Sequence, residues 1–432
     1  MKKEKLKHIP LSRAASLVGR LSESQEKRNV YCASDITKNW RYIDFYNPLQ
    51  NLPCISLEYL FGCRGLLAGR LIRLQAAYGV GKSSFMWLMY AAAQKLANAF
   101  CYHLESESTP PPPDFISSFG CDPSDLAIEC PGSLERSLEK MDEVMAQIRG
   151  GVAEKVKDPE TGKMRKTKFT NPLDKDFGSP IIIGMDSFSG LPLAVRAEQD
   201  ILDQDKTAKI AAHSLKMSNY LQERSERFND CQALLMIAAQ EKTAIKLGPA
   251  AFGGGGSGKT SLGDKPIGFY STYCVDMTGH KYIDKAVGLD IGERITMITT
   301  KNKLSPKHRM LNMYLIRDHG FDLIKTDADF LLKHSASPLK GVASKTGQWI
   351  KCPPLQEKAF TSDLDFVQAF YANTELVEAC REALRIRGFG YDFETKYMLS
   401  ESEIEDNSAT LKGEEHGVES STGSVPPAED VS

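Results

Sequence analysis

Residues 71–96 read LIRLQAAYGVGKSSFMWLMYAAAQKL. The apolar run Leu71–Leu74 has the character of a buried strand, and Ser84–Leu96 carries a helical pattern. Between them lies Ala76-x-x-x-x-Gly81-Lys82-Ser83. Strand, glycine loop ending in Lys-Ser, helix is the context that makes a phosphate loop credible. Ala76, Ala77, Tyr78, Gly79, Val80, Gly81, Lys82, Ser83 and Ser84 are therefore the expected nucleotide-binding residues. Gly79 and Gly81 let backbone N–H groups close round a phosphate, and the helix start behind them favours negative charge. Lys82 is expected to reach the terminal phosphates of ATP, and the Ser83 hydroxyl to hold Mg²⁺. Ala76 stands where the usual pattern has Gly.

The pattern continues on both sides. Ala99–Leu104 reads as a second strand, followed by Glu105-Ser106-Glu107 and then Pro110–Pro113, a stiff extended connector. Leu134–Ile148 is an amphipathic helix. Residues 152–169 alternate round Asp158-Pro159-Glu160-Thr161-Gly162 as a hairpin would. Six basic residues from Lys155 to Lys168 face three acidic ones there. Pro180–Met185 is a buried strand ending at Asp186, a carboxylate placed to hold Mg²⁺. Lys206–Phe228 is a long helix, and Ala233–Ala239 is another buried strand, ending in Gln240. Phe269–Met277, Glu293–Thr300 and Met310–Ile316 read as further strands, with Lys301-Asn302-Lys303 at a strand end. Strands alternating with helices imply an α/β core, a mostly parallel twisted sheet flanked by helices with its site at the strands' C-terminal ends.

The stretch 241–268 is glycine-rich. It contains Gly253-x-x-x-x-Gly258-Lys259-Thr260, a perfect textual match to the phosphate-loop pattern. No strand precedes it, and Gly263, Pro266 and Gly268 argue against a helix after it. It reads instead as a loop suited to a phosphodiester chain, with Lys242, Ile245, Lys246, Gly253, Gly254, Lys259 and Lys265 as candidate DNA contacts.

Over 432 residues the net charge is −2, with 41% hydrophobic and 25% charged residues, an ordinary globular composition. Residues 401–432 hold nine acidic residues and one Lys, so 397–432 is expected to be an acidic disordered tail on a mildly basic body. The division expected is 1–50 as an N-terminal segment with a docking helix over Ile9–Leu21, 51–330 as the core with candidate DNA-binding loops in the basic insertion 152–178 and the glycine-rich 241–268, and 331–396 as a small α/β domain. Ten cysteines at no metal-like spacing read as reduced core residues. The eight histidines show no ligand spacing either, and His103 reads as a core or edge residue. No run of 18 apolar residues occurs, and Met1–Arg13 lacks an apolar follow-on, so neither a membrane span nor a secretion signal is expected.

In order, these segments resemble the bacterial RecA recombinase family, including its phage relatives. Ile55–Val80 is similar to that family's entry segment and phosphate loop. The resemblance implies a RecA-like P-loop ATPase core with a small C-terminal domain. It implies that Glu107 activates the attacking water, with Glu105 as the other candidate. Phe115, five residues before Gly120, would stack on adenine. Asp186 matches the Mg²⁺ strand and Gln240 the γ-phosphate sensor that opens a DNA-binding loop. Phe269 would insert into a neighbouring subunit. Lys301 and Lys303 would reach across the interface to the neighbour's ATP. The resemblance as a whole implies an ATP- and Mg²⁺-dependent homologous recombinase. It would polymerise as a helical filament on single-stranded DNA, pair it with double-stranded DNA, and act in the cytoplasm of a bacterial cell or phage-infected host. A ring-forming helicase or motor on the same core is one alternative, though residues 1–50 are short for its partner-binding domain. A nucleotide-switched regulator without catalysis is the other.

Overall fold

The computed structural model describes residues 40–107, 109–157, 164–169, 171–194, 206–240, 242–243, 259–260, 264–283 and 288–388. The expected helix at Ile9–Leu21 and the acidic tail lie outside them. Nine strands build the central sheet: β1 (Leu71–Ala76), β2 (Phe100–Glu105), β3 (Leu126–Glu129), β4 (Ile181–Asp186), β5 (Ala233–Gln240), β6 (Tyr273–Ile283), β7 (Asp290–Asn302), β8 (Met310–Ile316) and β9 (Gly320–Phe321). Their spatial order is β9-β8-β7-β6-β1-β5-β4-β2-β3. Neighbours from β6 to β3 run parallel, and β6 to β9 pair antiparallel.

The helices are α1 (Ile55–Phe61), α2 (Lys82–Ala97), α3 (Pro113–Ser117), α4 (Leu134–Arg149), α5 (Lys206–Asp230), α6 (Asp264–Tyr270), α7 (Leu323–Lys333), α8 (Asp363–Ala372) and α9 (Thr374–Ala383). The middle strands are apolar along their whole length because both faces are covered. Ile181, Ile183 and Met185 of β4 join Met141 and Met145 of α4 and Met217 and Leu221 of α5 in one buried cluster. The alternate residues face α2. There Tyr90 lies over Gly184, where an added Cβ would stand 2.0 Å from the Tyr90 hydroxyl oxygen. Phe85, Trp87 and Tyr90 are all fully buried. Each such aromatic contributes about 1.5–3 kcal/mol by leaving water, which pins α2 to the sheet.

Three local readings need correction. Pro113 is not part of an extended connector; it opens α3 at the first helical position, where a missing N–H costs nothing. The segment after the second phosphate-loop match, which ends at Thr260, does form a helix, α6, because Pro266 falls in its first turn. Phe269 and Tyr270 therefore belong to α6, and the strand expected from Phe269 begins at Tyr273. The hairpin expected at 152–169 is present as paired strands Gly151–Lys157 and Met164–Phe169. At the N-terminal side, Tyr42–Asp44 pairs with Gly65–Leu67, so structure continuous with the core starts before residue 50.

Past residue 330 the chain forms a three-stranded antiparallel sheet (Ser344–Thr346, Trp349–Cys352, Gln356–Phe360) and the helices α8 and α9. These belong to the same compact unit as the core. Arg381 of α9 grips Glu58 of α1 through two bonds, Nε to Oε2 at 2.7 Å and Nη2 to Oε1 at 2.8 Å, with both residues buried. Asp327 of α7 accepts bonds from the Ser56 amide, the Ser56 and Tyr371 hydroxyls and the Cys54 thiol. The nine cysteines among the described residues are free thiols, eight of them buried.

Arg381→Ala leaves the Glu58 carboxylate buried without its guanidinium and is expected to cost about 3–5 kcal/mol in urea unfolding. Burial pushes the Asp327 carboxyl up to about 6, against the hydrogen bonds it accepts from Ser56, Tyr371 and Cys54. The folded state thus keeps a proton that the unfolded chain loses near pH 4, so this group's stabilisation fades as pH rises to about 6 and is flat above. Relative to Asp327→Asn, the wild type should lose on the order of 2–3 kcal/mol between pH 4 and 6. Parallel stability curves for the two proteins would contradict this assignment.

Candidate functional site

The phosphate-loop residues leave β1 at Ala76, which is buried, and enter α2 at Lys82. Gly79 and Gly81 have φ of +77° and +79°. A side chain at Gly81 would also meet Ile295 Cδ1 at 2.7 Å, whereas nothing lies within 4 Å of one at Gly79. Lys82 is 8% exposed, and its ammonium donates to the Ala77 carbonyl at 2.7 Å and the Ala76 carbonyl at 3.3 Å. The Ser83 hydroxyl donates to Asp186 Oδ2. Ser84 is buried in the first turn, and Tyr78 is 80% exposed at the loop tip.

Parallel register carries the other polar groups to this edge. Gln240 pairs with Ala76, and Asp186 pairs with Glu105. Burial pushes the Asp186 carboxyl above the ordinary range; His103, Ser83 and Lys82 draw it back, and Glu105 adds to the rise. Ser106 fixes the strand end, donating its N–H to the Asp186 carbonyl at 2.6 Å and accepting the Ser187 N–H on Oγ at 2.9 Å. Glu105 is 9% exposed, its Oε1 accepting the Glu107 amide at 3.0 Å. The Glu107 side chain is exposed. Phe115 is half-exposed on α3, edge-on to Phe119 at 5.3 Å.

His103, completely buried, was invisible as a site residue in the sequence. Its Nε2 lies 3.5 Å from Glu105 Oε2. The available signal was the i, i+2 spacing on a strand, which puts His103 and Glu105 on one face.

The lysines lie at the other edge. Lys301 pairs with Cys274, which pairs with Arg73 in the first half of β1. At about 3.3 Å per residue, Arg73 is roughly 10 Å below Ala76, and the loop rises further away. Lys301 and Lys303 therefore do not reach the Lys82 loop of their own chain. Lys301 Nζ donates to the Gly268 and Phe269 carbonyls of α6, both at 2.7 Å. Burial, with the neighbouring Lys303 charge, holds its ammonium below the ordinary lysine value. Lys303 is exposed, and Phe269 is 73% exposed. A cleft of about 850 Å³ opens here between Arg70, Leu71, Phe269, Tyr270, Lys301 and Lys303.

Lys242 and Lys259 sit on one small hairpin, Lys242–Thr243 paired with Lys259–Thr260. The second phosphate-loop match thus ends in a strand. Lys265 is exposed on α6; Ile245, Lys246, Gly253 and Gly254 lie outside the described residues. No helix among the described residues is long and apolar enough to cross a membrane.

No family model matches the chain. It is 23% identical over 316 residues to the protein RecA of Chlamydia pneumoniae, covering 73% of this chain and 74% of that protein. To the protein RecA of Pseudarthrobacter chlorophenolicus it is 22% identical over 306 residues, 70% and 72% of the two chains. To that of Chlamydia felis it is 22% identical over 297 residues, 68% and 71%. The chain is thus a distant RecA-like relative, and its fold is a RecA-like α/β core.

Left-handed backbone strains any side chain by about 1–2 kcal/mol. Gly79→Ala is therefore expected to weaken binding of a fluorescent ATP analogue about tenfold, and Gly81→Ala, with its added contact on Ile295, clearly more. Equal losses would mean that Ile295 yields to the new methyl.

Proposed function

We propose that this chain is an ATP-dependent homologous recombinase that assembles as a filament on single-stranded DNA and exchanges it with a homologous duplex. The observation that carries this reading is the separation of two half-sites on one sheet. The phosphate loop, Ser83 and Asp186 occupy the C-terminal edge, and Lys301 and Lys303 the opposite one. A head-to-tail stack of identical chains brings the two edges together, and such an interface repeats without limit unless it closes into a ring.

The residues fit a nucleotide with Mg²⁺. A buried ammonium, a hydroxyl hydrogen-bonded to a buried carboxylate, and a glycine in left-handed backbone at a helix start form a coherent donor set for phosphate and a hard cation. When bound, Mg²⁺ supplies charge neutralisation to the phosphate oxygens. Lys82 and the amides of the 76–84 loop hold the β- and γ-phosphates, and Ser83 and Asp186 are the cation ligands. Glu107, or Glu105 two residues before it, orients the attacking water. Lys303 of the next subunit stabilises charge developing on the γ-phosphate, with Lys301 holding α6 beneath it. Gln240, beside Ala76, links the phosphate to the 241–268 segment, whose lysines meet the DNA backbone. Phe115 covers the adenine, and Phe269 enters the neighbouring subunit. The name shared by the relatives supports recombination over a generic motor.

ATP hydrolysis should rise with single-stranded DNA, and joint molecules should form between homologous DNAs. Hydrolysis indifferent to DNA, with no filaments in micrographs, would overturn this reading. In a mixture of Lys82→Ala and Lys303→Ala proteins, each inactive alone, about a quarter of head-to-tail interfaces carry both intact halves. Hydrolysis should recover to about that fraction of wild type; no recovery would overturn the site shared between subunits. Glu105→Gln and Glu107→Gln separate the two carboxylates, since the water-orienting one should lose roughly 100-fold or more in kcat with nucleotide affinity kept.

A further inference from the structure

We propose that His103, Glu105 and Asp186 form a binding site for a first-row divalent ion that accepts an imidazole ligand, with Mn²⁺ as the representative. The site shares Asp186 with the nucleotide-site reading and Glu105 with that reading's second candidate for orienting water. His103, Glu105 and Asp186 are all buried, and their ligand atoms lie within 4.8 Å of one another. Ligand bonds of about 2.0–2.2 Å put two donors on opposite sides of one ion roughly 4.2 Å apart, so a small inward adjustment closes this set.

The independent sign is the histidine's other nitrogen. Tyr90 donates its hydroxyl proton to the Tyr102 carbonyl at 3.3 Å. With that bond made, its oxygen, 3.1 Å from His103 Nδ1, is free to accept a ring proton carried on Nδ1. In the neutral ring Nε2 then carries the lone pair that an ion would take. That atom is buried, has no hydrogen-bond partner, and faces Glu105 Oε2 at 3.5 Å. In that neutral form a lone pair aimed at a carboxylate oxygen is repulsive, and a cation between them, a metal ion or a proton, reverses the sign. Metal-bound histidines commonly donate their second ring N–H to a fixed acceptor, which is the part Tyr90 plays. Gly184 makes the room, since a Cβ there would stand 3.1 Å from His103 Nδ1 and 2.0 Å from the Tyr90 oxygen. The ring is also held by Trp87, with centroids 4.4 Å apart. One nitrogen and two carboxylates prefer Mn²⁺ and later first-row ions to Mg²⁺, which favours an all-oxygen shell.

The full-length protein without nucleotide is titrated with Mn²⁺, bound ions are counted by electron paramagnetic resonance, and pulsed measurements read the ¹⁴N coupling of a ligated imidazole. A bound ion with that coupling is expected. His103→Phe should abolish the coupling and weaken Mn²⁺ binding roughly tenfold or more. Glu105→Gln, which keeps volume and shape, should weaken binding similarly, and it decides the matter with the wild type if His103→Phe fails to fold. No bound Mn²⁺, Mn²⁺ without nitrogen coupling, or coupling that survives His103→Phe would overturn the proposal. A proton on Nε2, seen by nitrogen NMR and undisturbed by Mn²⁺, would do so as well. DNA-stimulated hydrolysis without nitrogen coupling defeats this site alone, and coupling in a protein that fails to bind ATP defeats the nucleotide reading alone.

Discussion

The structure depends on the parallel register of four strands. β1, β5, β4 and β2 lie side by side, and the pairs Ala76–Gln240 and Asp186–Glu105 bring their last residues to one edge. Within the sheet, apolar side chains pack on both faces, and an unpaired polar group there would cost several kcal/mol. The strand ends are where polar groups become tolerable, because the start of α2 and the loop amides offer donors. Chemistry and packing are thus separated along the same strands. The packing of Tyr90 over Gly184 then decides where α2 sits, and with it whether Ser83 meets Asp186.

Much of this is legible in the sequence because buried parallel strands have an unmistakable composition. Ile181–Met185 and Ala233–Ala239 carry no polar side chain, and their boundaries can be placed to within a residue or two. What escapes are features fixed by partners remote in sequence. Glu58 and Arg381 stand 323 positions apart, and neither residue's neighbours disclose the pairing. Pro266 misleads because a proline breaks a helix interior but suits its first turn, and only the helix start tells which applies. His103 looks like an ordinary core residue, which by packing against Trp87 it is. Its direction depends on cross-strand register and on the missing side chain at Gly184.

Textual motifs fare differently according to context. The imperfect one at Ala76 has strand, loop and helix around it. Lys259 and Thr260, which complete the perfect one, lie in a two-residue strand paired with Lys242 and Thr243. A phosphate loop works because a helix N-terminus stands behind its amides. A strand end offers amides without that aligned field, so the letters alone carry little.

The segment between Gln240 and Thr272 joins the two edges of the sheet. The chain leaves at the edge that carries the 76–84 loop, where Gln240 lies beside Ala76, and returns at the lysine edge, where the Thr272 amide donates to the Leu71 carbonyl at 2.8 Å. Just before that return, α6 is tied by Lys301 through the carbonyls of Gly268 and Phe269. Lys301 is poorly placed to be a free charge, being half-buried and engaged with those carbonyls, whereas Lys303 is exposed beside it. The two lysines, equivalent in the sequence, thus divide the work on physical grounds. One anchors the helix that closes the segment, and the other stands exposed beside it.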